Sequence, residues 1–495
     1  MTTTFHSTRG TNTALSGKMA IRQGLADDGG LFVTDDLGKS RLDISSLVGK
    51  SYQATALTVL TELLPDFTQN ELSDCIAAAY GEQWLDPSIT PLKPLGSDYI
   101  LELFNGPTSA FKDVALQILP RFMACTTDGN VDAGKVMVLT ATSGDTGKAA
   151  LAGFADTPGT GITVFYPEGK VSEVQRLQMT TQAGSNVQVC AVRGNFDDAQ
   201  SAVKDIFGNT DLNIELNDRD NVALSSANSI NVGRLVPQVV YYFSAYCQLV
   251  ERGAISVGAP VEFVVPTGNF GDILAGYYAK RLGLPVGRLT VASDRNNVLF
   301  HFLTSGTYNR QRPFHQTTSP SMDILVSSNL ERMLYYMSDG DARLVQMCMN
   351  DLKDWGTFEI PPALLARIRK VFACGWADES QVSQAITDCW KANHYVIDPH
   401  TACGYYLLEQ MPREAGMPRI LLSTASPYKF PRVVGKALDL DVSGGDFDCM
   451  DRLAEATGTT TPANLRKLEG ADERFTDVID VRDMPDYVRR ASARL

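Results

Sequence analysis

The sequence predicts an α/β protein built on mostly parallel sheet, and three observations carry that prediction. Short apolar runs such as "KVMVLTA" (135–141), "VEFVVP" (261–266) and "RILLSTA" (419–425) have the composition of strands buried on both faces. Helical patterns follow them, for example "DTGKAALAGFA" and "GDILAGYYAKRLG". The junctions between strand and helix are rich in glycine and hydroxyl residues. Strands that alternate with helices form a sheet covered on both faces, and ligands sit in the loops at the carboxyl ends of its strands.

Taken in order, residues 1–95 open with "AIRQGLADDGGLFV", a helix ending in a turn at Gly29-Gly30 and then a short strand, before further helical patterns. Pro91, Pro94 and Gly96 mark a boundary. A second unit, 96–235, holds the strand "KVMVLTA" and its helix, then the strands "GITVFYP" and "VQVCAV" separated by the helical "SEVQRLQMTTQAG", then the helix "DDAQSAVKDIF". A third, 236–495, repeats the design with "VEFVVP", its helix and the strand "RLTVAS". Between about 300 and 410 it reads as a mainly helical insertion or cover ("NLERMLYYM", "LLARIRKVFACG", "QVSQAITDCWKAN") before "RILLSTA". Beyond about 440 no motif is legible.

A chain of 495 residues exceeds what one core usually serves, so two or three domains are expected. The net charge of −13 argues against nucleic acid and anionic membrane as partners, because no excess of cations exists to neutralise phosphates over an extended surface. A small anionic substrate needs only a local cluster and stays open. Nine scattered cysteines without a CxxC fit reduced thiols. "MTTTFHSTRG" lacks a signal-peptide core, and no apolar run reaches membrane-spanning length, so a soluble cytoplasmic protein is expected.

Four loops carry the chemistry. "NGPTSAFKDVALQ" sets Lys112 at a helix start among small and apolar residues, where it reads either as a solvated lysine or as a nucleophile. "TATSGDTGKAA" offers amides, hydroxyls and the carboxylate of Asp145, which could equally be a helix cap. "PTGNFGDILAG" is a glycine-rich loop opening a helix, the form of an anion cradle, although any parallel α/β fold also uses such loops as tight turns. "LLSTASPYKFP" ends a strand with Ser423 and Thr424. A P-loop is excluded because Gly144 and Gly147 are too close and Ala149 follows Lys148. No G-x-G-x-x-G follows a strand, so no dinucleotide site is expected. The five histidines show no metal-binding spacing, so no metal is expected, and the acidic "GDFDCMD" reads as a solvated loop.

"NGPTSAFKDVALQ", "ATSGDTGKAAL", "ANSINVGRLVPQ", "PTGNFGDILAGYYAKRLGLP", "DPHTACGYY" and "STASPYKFP" together, in that order, resemble the threonine synthase family. "STRG…QGLADDGGLFV" resembles the opening of its longer bacterial and fungal branch. The resemblance runs from about residue 7 to about 435. It implies a type II pyridoxal-phosphate fold like that of the tryptophan synthase β-subunit, with two α/β domains, an N-terminal extension and a helical insertion. It also implies the conversion of O-phospho-L-homoserine and water to L-threonine and phosphate, in a monomer or weak homodimer.

By resemblance, Lys112 is the Schiff-base lysine, and an apolar pocket of Phe111, Val114 and Ala115 would lower its pKa as that role requires. Gly268, Asn269, Phe270, Gly271 and Asp272 match the cofactor-phosphate loop, with Thr267 adding a hydroxyl. Thr424, beside Ser423, matches the partner of the pyridine nitrogen, and Asp145 lies near the ring's 3-oxygen. Thr142, Ser143 and Thr146 match the loop that holds the substrate carboxylate. Ser229, Asn231 and Arg234 match the cluster that holds the substrate phosphate, the alternative for Arg234 being a surface ion pair. Ser426 and Tyr428 depart from the "STAHPAKFP" of part of the family, and Asn105 stands where relatives often have histidine. The rivals are a serine or threonine dehydratase, which needs no second phosphate site, and a non-catalytic binder of a phosphorylated metabolite.

Overall fold

The computed structural model describes residues 4–11, 14–126, 134–142 and 144–495. Two mostly parallel sheets organise them. The larger runs Phe372–Trp376, Val286–Ser293, Val261–Pro266, Arg419–Ser423, Asp98–Glu102, Leu92–Leu95, and only its last pair is antiparallel. The smaller runs Val478–Asp480, Val187–Arg193, Thr160–Pro167, Lys135–Ala141, Val222–Ser226, all parallel. The central strands are apolar on both faces because helices cover both: all of Val261–Pro266 and Thr160–Pro167 is buried.

Sheet membership does not follow chain order. Asp98–Glu102, N-terminal to every strand of the smaller sheet, pairs with Arg419–Ser423 in the larger one. The tail returns the other way: Val478–Asp480 adds to Val187–Arg193, and the Met484–Ser492 helix buries Met484, Tyr487 and Val488 on the smaller sheet.

Three local expectations are corrected. The stretch "LLARIRKVFACG" is not one helix: Pro362–Arg369 is helical, and Phe372–Trp376 is an edge strand in parallel register with Leu289–Ser293. The 300–410 region also contains the small hairpin Thr307–Asn309 with Thr357–Glu359. "GDFDCMD" is not a loop but the start of the Asp446–Thr457 helix, which buries Phe447, Met450 and Leu453 at helical spacing while Asp446 pairs with Arg432. At the other end the first helix, Gly17–Gln23, stops at Gly24 rather than at Gly29-Gly30.

The two sheets meet through helices that cross almost backbone to backbone. Lys112–Leu116 lies against Asp145–Phe154, and a Cβ built on Gly153 would stand 1.9 Å from the Leu116 carbonyl oxygen. The Val232–Glu251 helix is buried along most of its length and packs on Gly271–Arg281. The N-terminal segment is latched by Arg9, whose guanidinium donates two bonds of 2.8 Å to the Glu331 carboxylate. Thr8 donates to the same carboxylate. Next to it the fully buried Arg332 donates to the carbonyls of Phe32, Ser229 and Ile230 and to Asn329 Oδ1.

The crossing at Gly153 predicts that Gly153→Ala destabilises the protein by about 1–3 kcal/mol or more in urea unfolding, because backbone on both sides cannot yield. Gly208→Ala, into open space near the end of a helix, is the control and should be neutral or slightly stabilising. Equal behaviour of the two variants would show that the crossing is not tight.

Candidate active site

A cleft of about 470 Å³, its open mouth included, lies at the carboxyl ends of Val261–Pro266 and Arg419–Ser423. Lys112, Asp145, the 266–272 loop, Ser321, Met322, His400 and Thr424 line it.

The loop that carries Lys112 is fixed from both sides. Asp113 accepts the Thr108 amide at 2.8 Å and its hydroxyl at 2.6 Å, closing a turn that admits only glycine at 106, where a Cβ would meet Asp113 at 2.6 Å. Backbone bonds from Phe111 to Thr424 and from Ser426 to Ser109 tie the loop to the strand end opposite. Asn464, from the C-terminal region, donates to the carbonyls of Gly106 and Pro107 and to Ser109 Oγ. Lys112 itself is 7% exposed. Burial brings its pKa down to about 8, Lys429 and Arg234 push the same way, and Asp145 opposes.

Asp145 is not a cap. Gly144 holds that position, and the Asp145 carboxylate instead meets Lys429 Nζ at 2.6 Å, Gln175 Nε2 at 3.1 Å and Ser321 Oγ at 3.0 Å. Burial alone would raise its pKa, but Lys429 and Lys112 outweigh that and hold it well below the usual carboxylate range. Lys429 is fully buried and also donates to the Thr108 carbonyl at 3.1 Å. Thr142 accepts the amides of Gly144 and Gly147 at 3.0 and 2.9 Å, so its oxygen is the true cap of this helix. Thr142 and Thr146 do not line the cleft, and Ser143 lies outside the described residues.

In the 267–271 loop, Phe270 adopts a left-handed conformation, φ 64°, and Asn269 Oδ1 accepts the Gly271 amide at 3.0 Å. Beyond that bond, no side chain among the described residues accepts the first-turn amides of Asp272 and Ile273, which have no intrahelical partners. Ser327 Oγ donates to the Gly268 carbonyl, and a Cβ at Gly268 would press on Met322 Cα at 3.0 Å. The Asp272 carboxylate turns away to Tyr241 and Tyr242 hydroxyls at 2.5 and 3.0 Å. Burial pushes its pKa up to about 7 against those bonds. Such a cradle suits an anionic oxygen group held by backbone.

Of the two hydroxyls closing Arg419–Ser423, Thr424 lines the cleft, whereas Ser423 Oγ lies 3.2 Å from Thr401 Oγ1 outside it. His400 points in from the start of the Pro399–Gln410 helix. Its Nδ1 lies 2.6 Å from Asp398, and its Nε2 accepts the Ser321 amide at 3.1 Å, which places the ring proton on Nδ1.

Arg234 is a buried cation, not a surface ion pair. It is 3% exposed, donates Nη1 to the Ala227 carbonyl, and keeps a buried Nε without a partner among the described residues. Burial lowers its pKa to about 10. Ser229 is held by the Arg332 bond to its carbonyl. Asn231 is occupied otherwise. Its side chain accepts from Gly233 and donates to the carbonyls of Ile21 and Ser226, capping the Val232–Glu251 helix and pinning it to the N-terminal segment. The departures from the family pattern also lie off the cleft lining: Asn105 donates to Glu102, Ser426 caps a short turn, and Tyr428 bonds Thr459.

The sequence reading missed Lys429, His400, Gln175 and Ser321. Lys429 and His400 sit inside the motifs "STASPYKFP" and "DPHTACGYY", and a lysine among Tyr, Phe and Pro was itself a hint of burial. Gln175 and Ser321 reach Asp145 only through the fold.

Residues 4–80 match the family described as threonine synthase N terminus, 90–347 pyridoxal-phosphate dependent enzyme, and 401–488 threonine synthase, C-terminal. The last extends the likeness through the tail. Threonine synthase of Pseudomonas aeruginosa is 37% identical over 437 residues, 87% of this chain and 89% of that protein. Human threonine synthase-like 1 is 40% identical over 432 residues, 85% of this chain, and the chain spans 58% of that relative's length. The crystal structure of threonine synthase from Brucella melitensis, bound to PLP, superposes with a TM-score of 0.88 at 37% identity, covering 99% of each chain. The fold is therefore the type II arrangement expected, and the chain belongs to the threonine synthase family of pyridoxal-phosphate-dependent enzymes.

Proposed function

We propose that this chain is a threonine synthase that uses pyridoxal 5'-phosphate to convert O-phospho-L-homoserine and water to L-threonine and phosphate. The observation that carries the reading is Lys112, a buried amine with its pKa brought down to about 8, facing an uncapped helix start across one cleft. A second buried cation, Arg234, with no carboxylate partner among the described residues, acts electrostatically on that amine.

The residues fit the cofactor. Lys112 would hold it covalently, the amides of the 268–272 loop its phosphate, and Thr424 its ring nitrogen, with Asp145 near the 3-oxygen. Asp272 would contribute its amide only, since its carboxylate serves the tyrosines. When bound, the cofactor supplies the electron sink that stabilises negative charge on the substrate. The Lys112 amine would be the base placed to move the α-proton. The 142–146 loop would hold the substrate carboxylate mainly through backbone, because the Thr142 oxygen is already a cap. Ser229 and Arg234 would hold the departing phosphate, Asn231 shaping their loop from behind.

The pKa of Lys112 makes cofactor attachment pH-dependent. Only the neutral amine attacks a carbonyl, so the attachment rate to stripped protein should rise with pH through about 8 and level off above it. An ordinary lysine would keep gaining until about 10.4. A rate still climbing steeply above pH 9 would contradict the assignment.

Lys429→Met leaves burial of Asp145 unopposed by its nearest cation, so the carboxyl pKa must rise. The variant should show an acid limb in kcat/KM well above the ordinary aspartate value of about 3.9, absent from the wild type. An unchanged pH profile would remove the pair from the mechanism.

Arg234→Ala tests the function itself. Loss of a charged hydrogen bond worth roughly 1.5–3 kcal/mol should lower kcat/KM for O-phosphohomoserine by about tenfold to a hundredfold, part of it in kcat. Cofactor content and spectral response to serine should stay unchanged. Equal weakening toward both ligands, or wild-type turnover of serine with none of O-phosphohomoserine, would favour a dehydratase.

A further inference from the structure

Away from the cleft, two thiols lie against each other. Cys75, on the Gln69–Ala79 helix, and Cys125, the last residue of Leu119–Cys125, hold their sulfurs 3.7 Å apart. A covalent S–S bond is about 2.05 Å, so closing the remaining gap of about 1.7 Å asks for side-chain rotation and a small helix adjustment rather than refolding. The residues flanking the Gln69–Ala79 helix tie it to the same region: Phe67 meets Phe122 edge-on at 5.3 Å, and Tyr80 donates to the Val114 carbonyl at 2.8 Å.

The two sulfurs are not equivalent. Cys75 is buried, whereas Cys125 is half-buried and open to a small reagent. Either sulfur can donate across the 3.7 Å contact, and the contact pushes the Cys125 thiol down despite burial while it pushes Cys75 up. Lys18 favours the Cys125 thiolate as well, against Glu71 and Asp74. An accessible thiol in contact with a buried one is the arrangement of an attacking and a resolving cysteine.

We propose that Cys75 and Cys125 are a peroxide-responsive modification site that closes into a reversible disulfide. The Cys125 thiolate attacks one oxygen of hydrogen peroxide. The O–O bond breaks, the other oxygen leaves as hydroxide and takes up a proton to become water, and Cys125 is left as a sulfenic acid. Cys75 Sγ then attacks Cys125 Sγ, and the hydroxyl leaves with the Cys75 proton as a second water. Two thiols give up two electrons and two protons, and one peroxide becomes two waters. A dithiol reductant reverses the step by exchange. The bridge encloses residues 75–125, and therefore the strand Asp98–Glu102 and Lys112, so oxidation staples the N-terminal segment to the segment that bears the cleft lysine.

The test uses the full-length, cofactor-loaded protein treated with near-stoichiometric hydrogen peroxide, blocked with N-ethylmaleimide and mapped without reduction. The expected result is one Cys75–Cys125 linked peptide and the loss of two of the nine thiols, reversed by dithiothreitol. The thermal midpoint of the oxidised form should rise by about 3 °C or more, since a long loop is closed. In Cys75→Ala, dimedone should trap a sulfenic acid at Cys125, and in Cys125→Ser it should trap none at Cys75. The Ala variant keeps the buried site apolar, and circular dichroism confirms that each variant is folded. No linked peptide, a link through another cysteine, or dimedone on Cys75 in Cys125→Ser would overturn the proposal. A linked form with an unchanged midpoint would overturn the stapling.

Discussion

The ion pair between Asp145 and Lys429 is the constraint around which the cleft is built. Both side chains are buried, and neither charge could be kept there without the other at 2.6 Å. Lys429 also binds the carbonyl of Thr108, in the loop that precedes Lys112, while Asp145 opens the helix that crosses behind it. One interaction thus joins the two sheets and sets the electrostatics of the amine between them. Burial is what chiefly lowers the Lys112 pKa; Asp145 opposes it, and Lys429 and Arg234 offset that opposition. Lys112, Lys429 and Arg234 leave a local excess of positive charge in a chain that is acidic overall, which suits a ligand with more than one anionic group.

Several surrounding features make this arrangement rigid. The Gly153 contact leaves no slack between the two crossing helices. Asn464, from the C-terminal tail, satisfies three acceptors of the loop before Lys112, and Arg332 satisfies the carbonyls of Ser229 and Ile230 ahead of Arg234. Buried carbonyls of irregular loops need such donors, since water is excluded from them. The helical segment 330–337 and the tail hold the loops around the cleft in place, although they do not line it.

Much of this was legible from the sequence because local periodicity reports local structure. "KVMVLTA", "VEFVVP" and "RILLSTA" are strands, and the glycine and hydroxyl junctions after them converge on one cleft. Features set by pairing across long sequence separations were not legible. Nothing in "VFACG" distinguishes the end of a helix from an edge strand until Val286–Ser293 offers it a partner. Lys429 looked like one basic residue in a motif because its carboxylate lies 284 positions earlier at Asp145. Asn231 fits a substrate-contact motif by its neighbours, yet its side chain is consumed as a cap, which only the hydrogen bonds reveal. The acidic "GDFDCMD" drew attention to its charges, when the spacing of Phe447, Met450 and Leu453 held the structural information.

The central claim is that Lys112, rather than the buried Lys429 or the half-buried Lys148, is the reactive amine. Borohydride reduction of the cofactor-loaded protein followed by peptide mapping tests this directly. The account predicts a single labelled peptide modified at Lys112, and no label and no turnover in Lys112→Ala with the fold intact. A label at Lys429 or Lys148, or turnover surviving in Lys112→Ala, would contradict it.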